Sequence, residues 1–184
     1  TGLSDTTLAN PIATPTNTTT YFVTSTNATG CTNVDTVVVT VNPVPNNNLD
    51  TVGSMPFCVG DSVQLKADST YASYAWSTGD TTSSIWVSTG GLVQVTITDT
   101  LGCSSLGTVT VNTYTQPPIN AGPDINVCDG DSVQLNVTGG TSYTWHTQLG
   151  ISDSTIANPW FYNPATQTYF ITGTDANGCT NVDT

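Results

Sequence analysis

Apolar and polar residues alternate in short runs along most of the chain. Val63, Leu65 and Ala67 alternate with Gln64 and Lys66, and Val93, Val95 and Ile97 alternate with Gln94, Thr96 and Thr98. Val109 and Val111 alternate with Thr108 and Thr110, while Tyr74 and Trp76 share one face of the run Tyr71–Ser77. A period of two places successive side chains on opposite faces of an extended strand. Turn signals separate the runs at Gly60-Asp61, Thr78-Gly79-Asp80, Gly90-Gly91 and Leu101-Gly102. The same order returns later, with Val133, Leu135 and Val137, then Tyr143 and Trp145, then Tyr169 and Ile171. Many short alternating strands with regular turns predict an all-β chain built as antiparallel β-sandwiches.

Self-similarity divides the chain. Residues 2–36 align without a gap with residues 150–184 at an offset of 148, and 21 of the 35 positions are identical. CVGDSVQL (58–65) matches CDGDSVQL (128–135) at an offset of 70, with seven of eight identical. Pro43-Val44-Pro45 and Gln116-Pro117-Pro118 each follow a strand-like run, and proline-rich segments of this kind suit stiff linkers. The expected organisation is residues 1–45 as the C-terminal part of one module, 46–116 as a complete module, and 117–184 as a module lacking its last strand. The sequence reads as a piece of a longer tandem array.

Composition supports strands and removes several functions. Of 184 residues 38 are Thr and 16 Ser, and helix formers such as Glu, Arg and Met are nearly absent. All 13 acidic residues are Asp, against the single cation Lys66 and one histidine, His146, for a net charge of -12. One lysine cannot displace the counterions of a nucleic acid or hold an anionic membrane surface, so neither is an expected partner. No apolar run approaches the ~18–20 residues of a membrane span, so no direct membrane insertion is expected. The chain opens mid-pattern, so the lack of a visible signal peptide says nothing about export.

Five cysteines stand at 31, 58, 103, 128 and 179. Each module carries one before its Gly-Asp-Ser-Val-Gln-Leu strand and one in a later Gly-Cys pair. The simplest pairing is Cys58–Cys103 and Cys128–Cys179, with Cys31 bonded outside this stretch. A geometric difficulty keeps an alternative open. In an immunoglobulin topology the two positions lie toward opposite ends of the module, whereas a disulfide needs Cα atoms within about 7 Å. Bridges between successive modules, for example Cys58 to Cys179, would avoid that conflict. Either arrangement implies an oxidising compartment. Zinc is not expected, because no CxxC pair occurs and only one histidine is present.

Few residues suggest chemistry. His146 lacks a nucleophile motif such as GxSxG, and its counterpart in the middle module is Ser77, so no catalytic residue is expected. Lys66 aligns with Asn136, which argues against a shared isopeptide bond. Turn aspartates such as Asp99, Asp124, Asp129 and Asp175 are candidate Ca²⁺ ligands, although no EF-hand or RTX spacing is present and Asp favours turns by itself; no cofactor or other metal is expected. Trp86, out of phase with Ile85 and Val87, and the run Trp160-Phe161-Tyr162 are candidate ligand-binding aromatics, with packing against a neighbouring module as the plainer explanation. Ten of the 13 Asp residues precede Ser or Thr, where chance would give about four, and Asx- and ST-turns account for part of the excess.

Together Asn120-Ala121-Gly122-Pro123-Asp124, CDGDSVQL, Tyr143-Thr144-Trp145, GISDSTIANP (150–159), Thr168-Tyr169-Phe170 and TDANGCTN (174–181) resemble the immunoglobulin-like and PKD-like repeats of giant secreted cell-surface adhesins of Bacteroidota, of the gliding-motility-associated type. The middle copy departs, with Asp99-Thr100-Leu101-Gly102-Cys103 in place of the last motif. The resemblance implies tandem immunoglobulin-like modules of about 70 residues, export by the type IX route, and roles in adhesion, gliding or extracellular fibres. It also implies O-glycosylation after Asp, with candidate sites at Thr6, Thr36, Thr51, Ser62, Ser69, Thr81, Thr100, Ser132 and Ser154. Burial is the expected obstacle at some of these, Thr36 above all, which stands at a strand start.

The expected function is a non-enzymatic stalk region of an extracellular adhesin or surface fibre, with neighbouring modules and surface glycans as candidate partners. A carbohydrate-binding or spacer module of a secreted hydrolase is one alternative. A self-assembling filament subunit that exchanges strands between chains is another.

Overall fold

The computed structural model describes residues 2–68, 70–146, 149–162 and 165–184. Every regular element among them is a strand. The chain opens with a hairpin of β1 (Thr19–Thr26) and β2 (Thr32–Val39), preceded by a bridge between Leu3 and Ala13. Then come β3 (Leu49–Val52), β4 (Phe57–Cys58), β5 (Val63–Ala67), β6 (Ser73–Trp76), β7 (Ser84–Val87), β8 (Gly91–Thr98) and β9 (Ser104–Val111). A short strand, β10 (Thr113–Tyr114), leads into β11 (Ser132–Gln134), β12 (Ser142–Trp145), β13 (Trp160–Tyr162), β14 (Ile171–Thr174) and β15 (Thr180–Asp183).

Two sheets enclose the first core. One has the order β3-β5-β7 and the other β6-β8-β9, all antiparallel. The alternating apolar positions of both meet inside: Val63, Leu65, Val95 and Ile97 are fully buried, with Trp76, Ile85, Val87, Val93 and Val111 beside them. The later segment repeats the plan with β11-β13 on one side and β12-β14-β15 on the other, around Ile119, Val137, Trp145, Phe161, Tyr169 and Ile171. Each core tryptophan satisfies its indole N–H: Trp76 donates to the Thr82 carbonyl at 2.7 Å and Trp145 to the Ile156 carbonyl at 2.9 Å. That bond removes the penalty of burying a donor.

One turn is built three times. In β1–β2, β8–β9 and β14–β15 the strands close at Thr26↔Thr32, Thr98↔Ser104 and Thr174↔Thr180. The first turn residue, Asn27, Asp99 or Asp175, accepts at Oδ1 from the backbone N–H two and four residues on, the latter being Cys31, Cys103 or Cys179. The glycine before each cysteine has φ of 85°, 84° and 83°, the left-handed residue that a type I turn with a G1 bulge requires. The sequence signal Asn/Asp-x-x-Gly-Cys thus encodes a hairpin whose cysteine opens the returning strand.

The cysteine pairing departs from the simplest expectation, Cys58–Cys103 with Cys128–Cys179, and follows the alternative between segments. Cys58 is bonded to Cys179, with Cα atoms 5.4 Å apart, and Cys31, Cys103 and Cys128 are unbonded in this chain. Topology explains why Cys58–Cys103 fails. Cys58 lies beside β10, where Val59 N–H donates to Tyr114 C=O at 3.0 Å. Cys103 precedes the whole of β9, eight extended residues away from that end. At about 3.3 Å per residue the two ends stand roughly 25–30 Å apart, far beyond disulfide reach.

Candidate functional site

The outward faces of β7 and β13 carry the exposed residues Trp86, Trp160 and Tyr162, while Phe22 on β1 and Phe170 are exposed elsewhere. Trp86 pairs across to Gln64, and Trp160 pairs to Gln134. The indoles are 66% and 44% exposed, while the strand neighbours Ile85 and Val87 are buried. Register extends the first row to Val52, giving Val52–Gln64–Trp86 across three strands, with Asp50–Lys66–Ser84 beside it. Directly paired side chains lie ~4.5–5.5 Å apart at Cβ, so each indole has an amide as its immediate neighbour. Gln64 Nε2 lies 3.5 Å from Ser84 Oγ, and Gln134 Nε2 donates to Asn158 C=O at 3.1 Å.

The run Trp160-Phe161-Tyr162 divides by face. Trp160 and Tyr162 point outward, but Phe161 is buried and meets Tyr169 edge-on at 4.8 Å between ring centres. Phe161 is therefore a core residue and leaves the set of candidate ligand contacts. The strict period of two in β13 is the physical reason. The glutamines, in contrast, were missed by sequence reasoning. Their signal was present in Gly-Asp-Ser-Val-Gln-Leu, where Gln64 and Gln134 occupy the outward position between buried or half-buried Val and Leu.

A loop holds β13 in place. Ser152 N–H donates to Trp160 C=O, and Ser152 Oγ accepts from Trp160 N–H, both at 2.9 Å. Within that loop Asp153 Oδ1 accepts from the Thr155 hydroxyl at 2.7 Å and the Thr155 N–H at 2.8 Å. These bonds, the hydroxyl first, hold the Asp153 carboxyl below its ordinary 3.8, and Thr7 acts on Asp5 in the same way. A depressed carboxylate stabilises the fold above its unfolded value and loses that contribution as pH falls through the folded one. NMR titration should place the Asp153 midpoint below 3.8, and Thr155→Val should move it back toward that value, since only the backbone bond survives.

Elsewhere, a cleft of about 160 Å³ lies among Val133, Leu135, Trp145, Phe161 and Tyr169. Ala121, Asp124, Gln167 and Thr168 also line it. Trp145, Phe161 and Tyr169 belong to the second core, so the cleft is continuous with it. His146 is exposed and bonds Thr172 Oγ1 at 2.5 Å through Nε2. Among the described residues no three His, Cys, Asp or Glu side chains converge as a metal site. The candidate glycosylation residues Thr6, Thr36, Thr51, Ser62, Thr81, Thr100 and Ser132 are exposed and Ser154 is half-buried, whereas Ser69 lies outside the described residues. Also among the described residues, no helix is long and apolar enough to cross a membrane.

No protein-family model and no curated protein matches the chain. Two solved structures show a resemblance in shape. One is described as a "Ca2+-stabilized adhesin" that "helps an Antarctic bacterium reach out and bind ice", at 14% identity and a TM-score of 0.37, covering 91% of this chain and 55% of that one. The other is the Bacteroides ovatus mixed-linkage glucan utilization locus protein SGBP-B in complex with a mixed-linkage heptasaccharide, at 11% identity and a TM-score of 0.23, covering 96% and 52% respectively. The chain thus spans about half the length of each.

Proposed function

We propose that the chain is a non-enzymatic structural region of an extracellular adhesin or surface fibre, acting as a rigid stalk made of tandem immunoglobulin-like modules. The observation that carries this reading is the Cys58–Cys179 bond, which ties the first core-bearing segment to the hairpin of the second across a separation of 121 residues. Such a bond belongs to an oxidising compartment, and it removes the segment it encloses from any load applied to the chain ends. The dense outward Asp residues favour solubility, and O-glycans on the Asp-Ser/Thr sites would add to it.

Pulling single molecules by their ends tests the load path. The oxidised chain should withhold the enclosed segment, and reductant should release an added length of roughly 400 Å, at ~3.3–3.6 Å per residue. Equal extension in both states would defeat the stalk reading.

The paired rows Trp86–Gln64 and Trp160–Gln134 favour a second reading, in which the outward sheet faces bind glycans. A flat indole beside an amide suits the apolar face and the hydroxyls of a sugar ring. On a polysaccharide panel the chain should bind, and Trp86→Ala with Trp160→Ala should reduce binding at least tenfold with the melting temperature unchanged. Binding that survives both substitutions removes this reading.

A further inference from the structure

The three unbonded cysteines occupy the same local settings as the two bonded ones. Cys31 and Cys103 open the returning strand of the hairpin that places Cys179, in the same register and with the same Asn/Asp side-chain bonds. Cys128 matches Cys58: the Cys128 carbonyl accepts from Asp131 N–H at 3.1 Å, and the Cys58 carbonyl from Asp61 N–H at 2.9 Å. The structure therefore contains two kinds of cysteine, one in a turn before the Gly-Asp-Ser-Val-Gln-Leu strand and one in a hairpin. The observed bond joins the turn kind to the hairpin kind of the following segment.

The geometry of the junction explains that choice. After β9 the chain returns past Cys58 as β10, with Tyr114 opposite Cys58. Three residues on, the Pro117 carbonyl accepts from Asn181 Nδ2 at 3.0 Å, and Ala121 N–H donates to Asp183 Oδ2 at 2.9 Å. The linker is thus held against the strand that follows Cys179, which brings that cysteine to the turn of the preceding segment. The hairpin of Cys103 stands in a comparable relation to the earlier linker, since Asn47 Nδ2 donates to Leu106 C=O at 2.9 Å. Pro45 and Pro117 are both buried.

We infer that Cys103 and Cys128 form a second bridge, made between consecutive 148-residue repeats of this sequence and not within one. Cys128 bonds the Cys103 position one repeat further along. That position lies 123 residues from Cys128, against the 121 observed for Cys58 and Cys179. Cys31 is the repeat of Cys179 and takes the repeat of Cys58. Every cysteine is then used, and successive bridges overlap, so each point along the array is spanned by at least one. Each bond forms from two thiols with release of two protons and two electrons, accepted by a disulfide oxidant such as oxidised glutathione or an extracytoplasmic dithiol oxidoreductase. The inference goes beyond the stalk reading and stands or falls separately from glycan binding.

Extending the chain in its own register supplies the missing partner: residues 1–184 followed again by residues 37–184. The product would be refolded in a glutathione redox buffer, blocked with an alkylating agent and digested at Asp, since Lys66 is the one tryptic site. A Leu101→Met exchange at an exposed position in the second copy marks its Cys103 peptide. The expected crosslinks are Cys58 to Cys179 and first-copy Cys128 to the marked Cys103. First-copy Cys128→Ser should leave the marked Cys103 fully alkylated while Cys58–Cys179 persists, which also reports that the fold survives. In the unextended monomer Cys103 and Cys128 should both alkylate. Crosslinks Cys58–Cys103 or Cys128–Cys179, a marked Cys103 peptide found alkylated in the extended chain that keeps first-copy Cys128, or a Cys103–Cys128 bond inside one unextended monomer would each overturn the inference.

Discussion

Trp76→Ala should destabilise the first core by about 3–5 kcal/mol, the range for removing a large buried aromatic side chain. The indole is 4% exposed and packs among residues of both sheets, so its loss leaves a cavity that stiff β-branched neighbours cannot refill. It also leaves the Thr82 carbonyl without its donor at 2.7 Å. Trp76→Phe separates the two contributions, keeping most of the ring while losing the hydrogen bond, and should cost roughly 1–3 kcal/mol. Trp86→Ala, on the outward face of the same sandwich, should lie within about 0.5 kcal/mol of the parent. Urea titrations followed by near-ultraviolet circular dichroism give all three values. Equal costs for Trp76→Ala and Trp86→Ala would refute the inward and outward assignment of the strands.

Gly139→Ala should be the most damaging alanine substitution at a turn, by about 3 kcal/mol or more. Gly139 has φ of 94°, and a Cβ there would stand 2.1 Å from the Pro118 carbonyl oxygen. Both atoms belong to rigid backbone, so relief requires moving the chain entry next to Ile119 and Asn120, which bridges Thr138. Gly79 has the same φ of 94° but open space around its Cβ position. Gly79→Ala therefore reports the conformational cost alone, about 1–2 kcal/mol. The difference between the two denaturation midpoints measures the steric part, about 1–3 kcal/mol. Indistinguishable midpoints would show that the approach of residue 118 to residue 139 is not maintained in solution.

Much of this was legible in the sequence because it depends on near neighbours. Alternation assigned Val63, Leu65, Val95 and Ile97 to the interior and Trp86 to the surface, and each is found there. The same rule applied within Trp160-Phe161-Tyr162 separates buried Phe161 from its exposed neighbours, although composition had suggested one aromatic patch. The Asn/Asp-x-x-Gly-Cys signal specified a turn whose glycine has positive φ wherever it occurs. Gln64 and Gln134 gain their candidate role only through the strand opposite, which places them against Trp86 and Trp160. Nothing in their own segments names that partner.

By itself, then, the sequence determined strand type, facing and turn geometry, because a period of two and a left-handed glycine are properties of a few adjacent residues. Tertiary structure decided between the two cysteine pairings that the sequence left open, in favour of the bridge between segments. Cys58 and Cys103 belong to one core-bearing segment, yet β9 runs its full length between them, while the linker folds back and carries Cys179 to within bonding distance. A covalent bond responds to distance in space, and that distance is set by where the strands end and how the next segment docks, which no local pattern records.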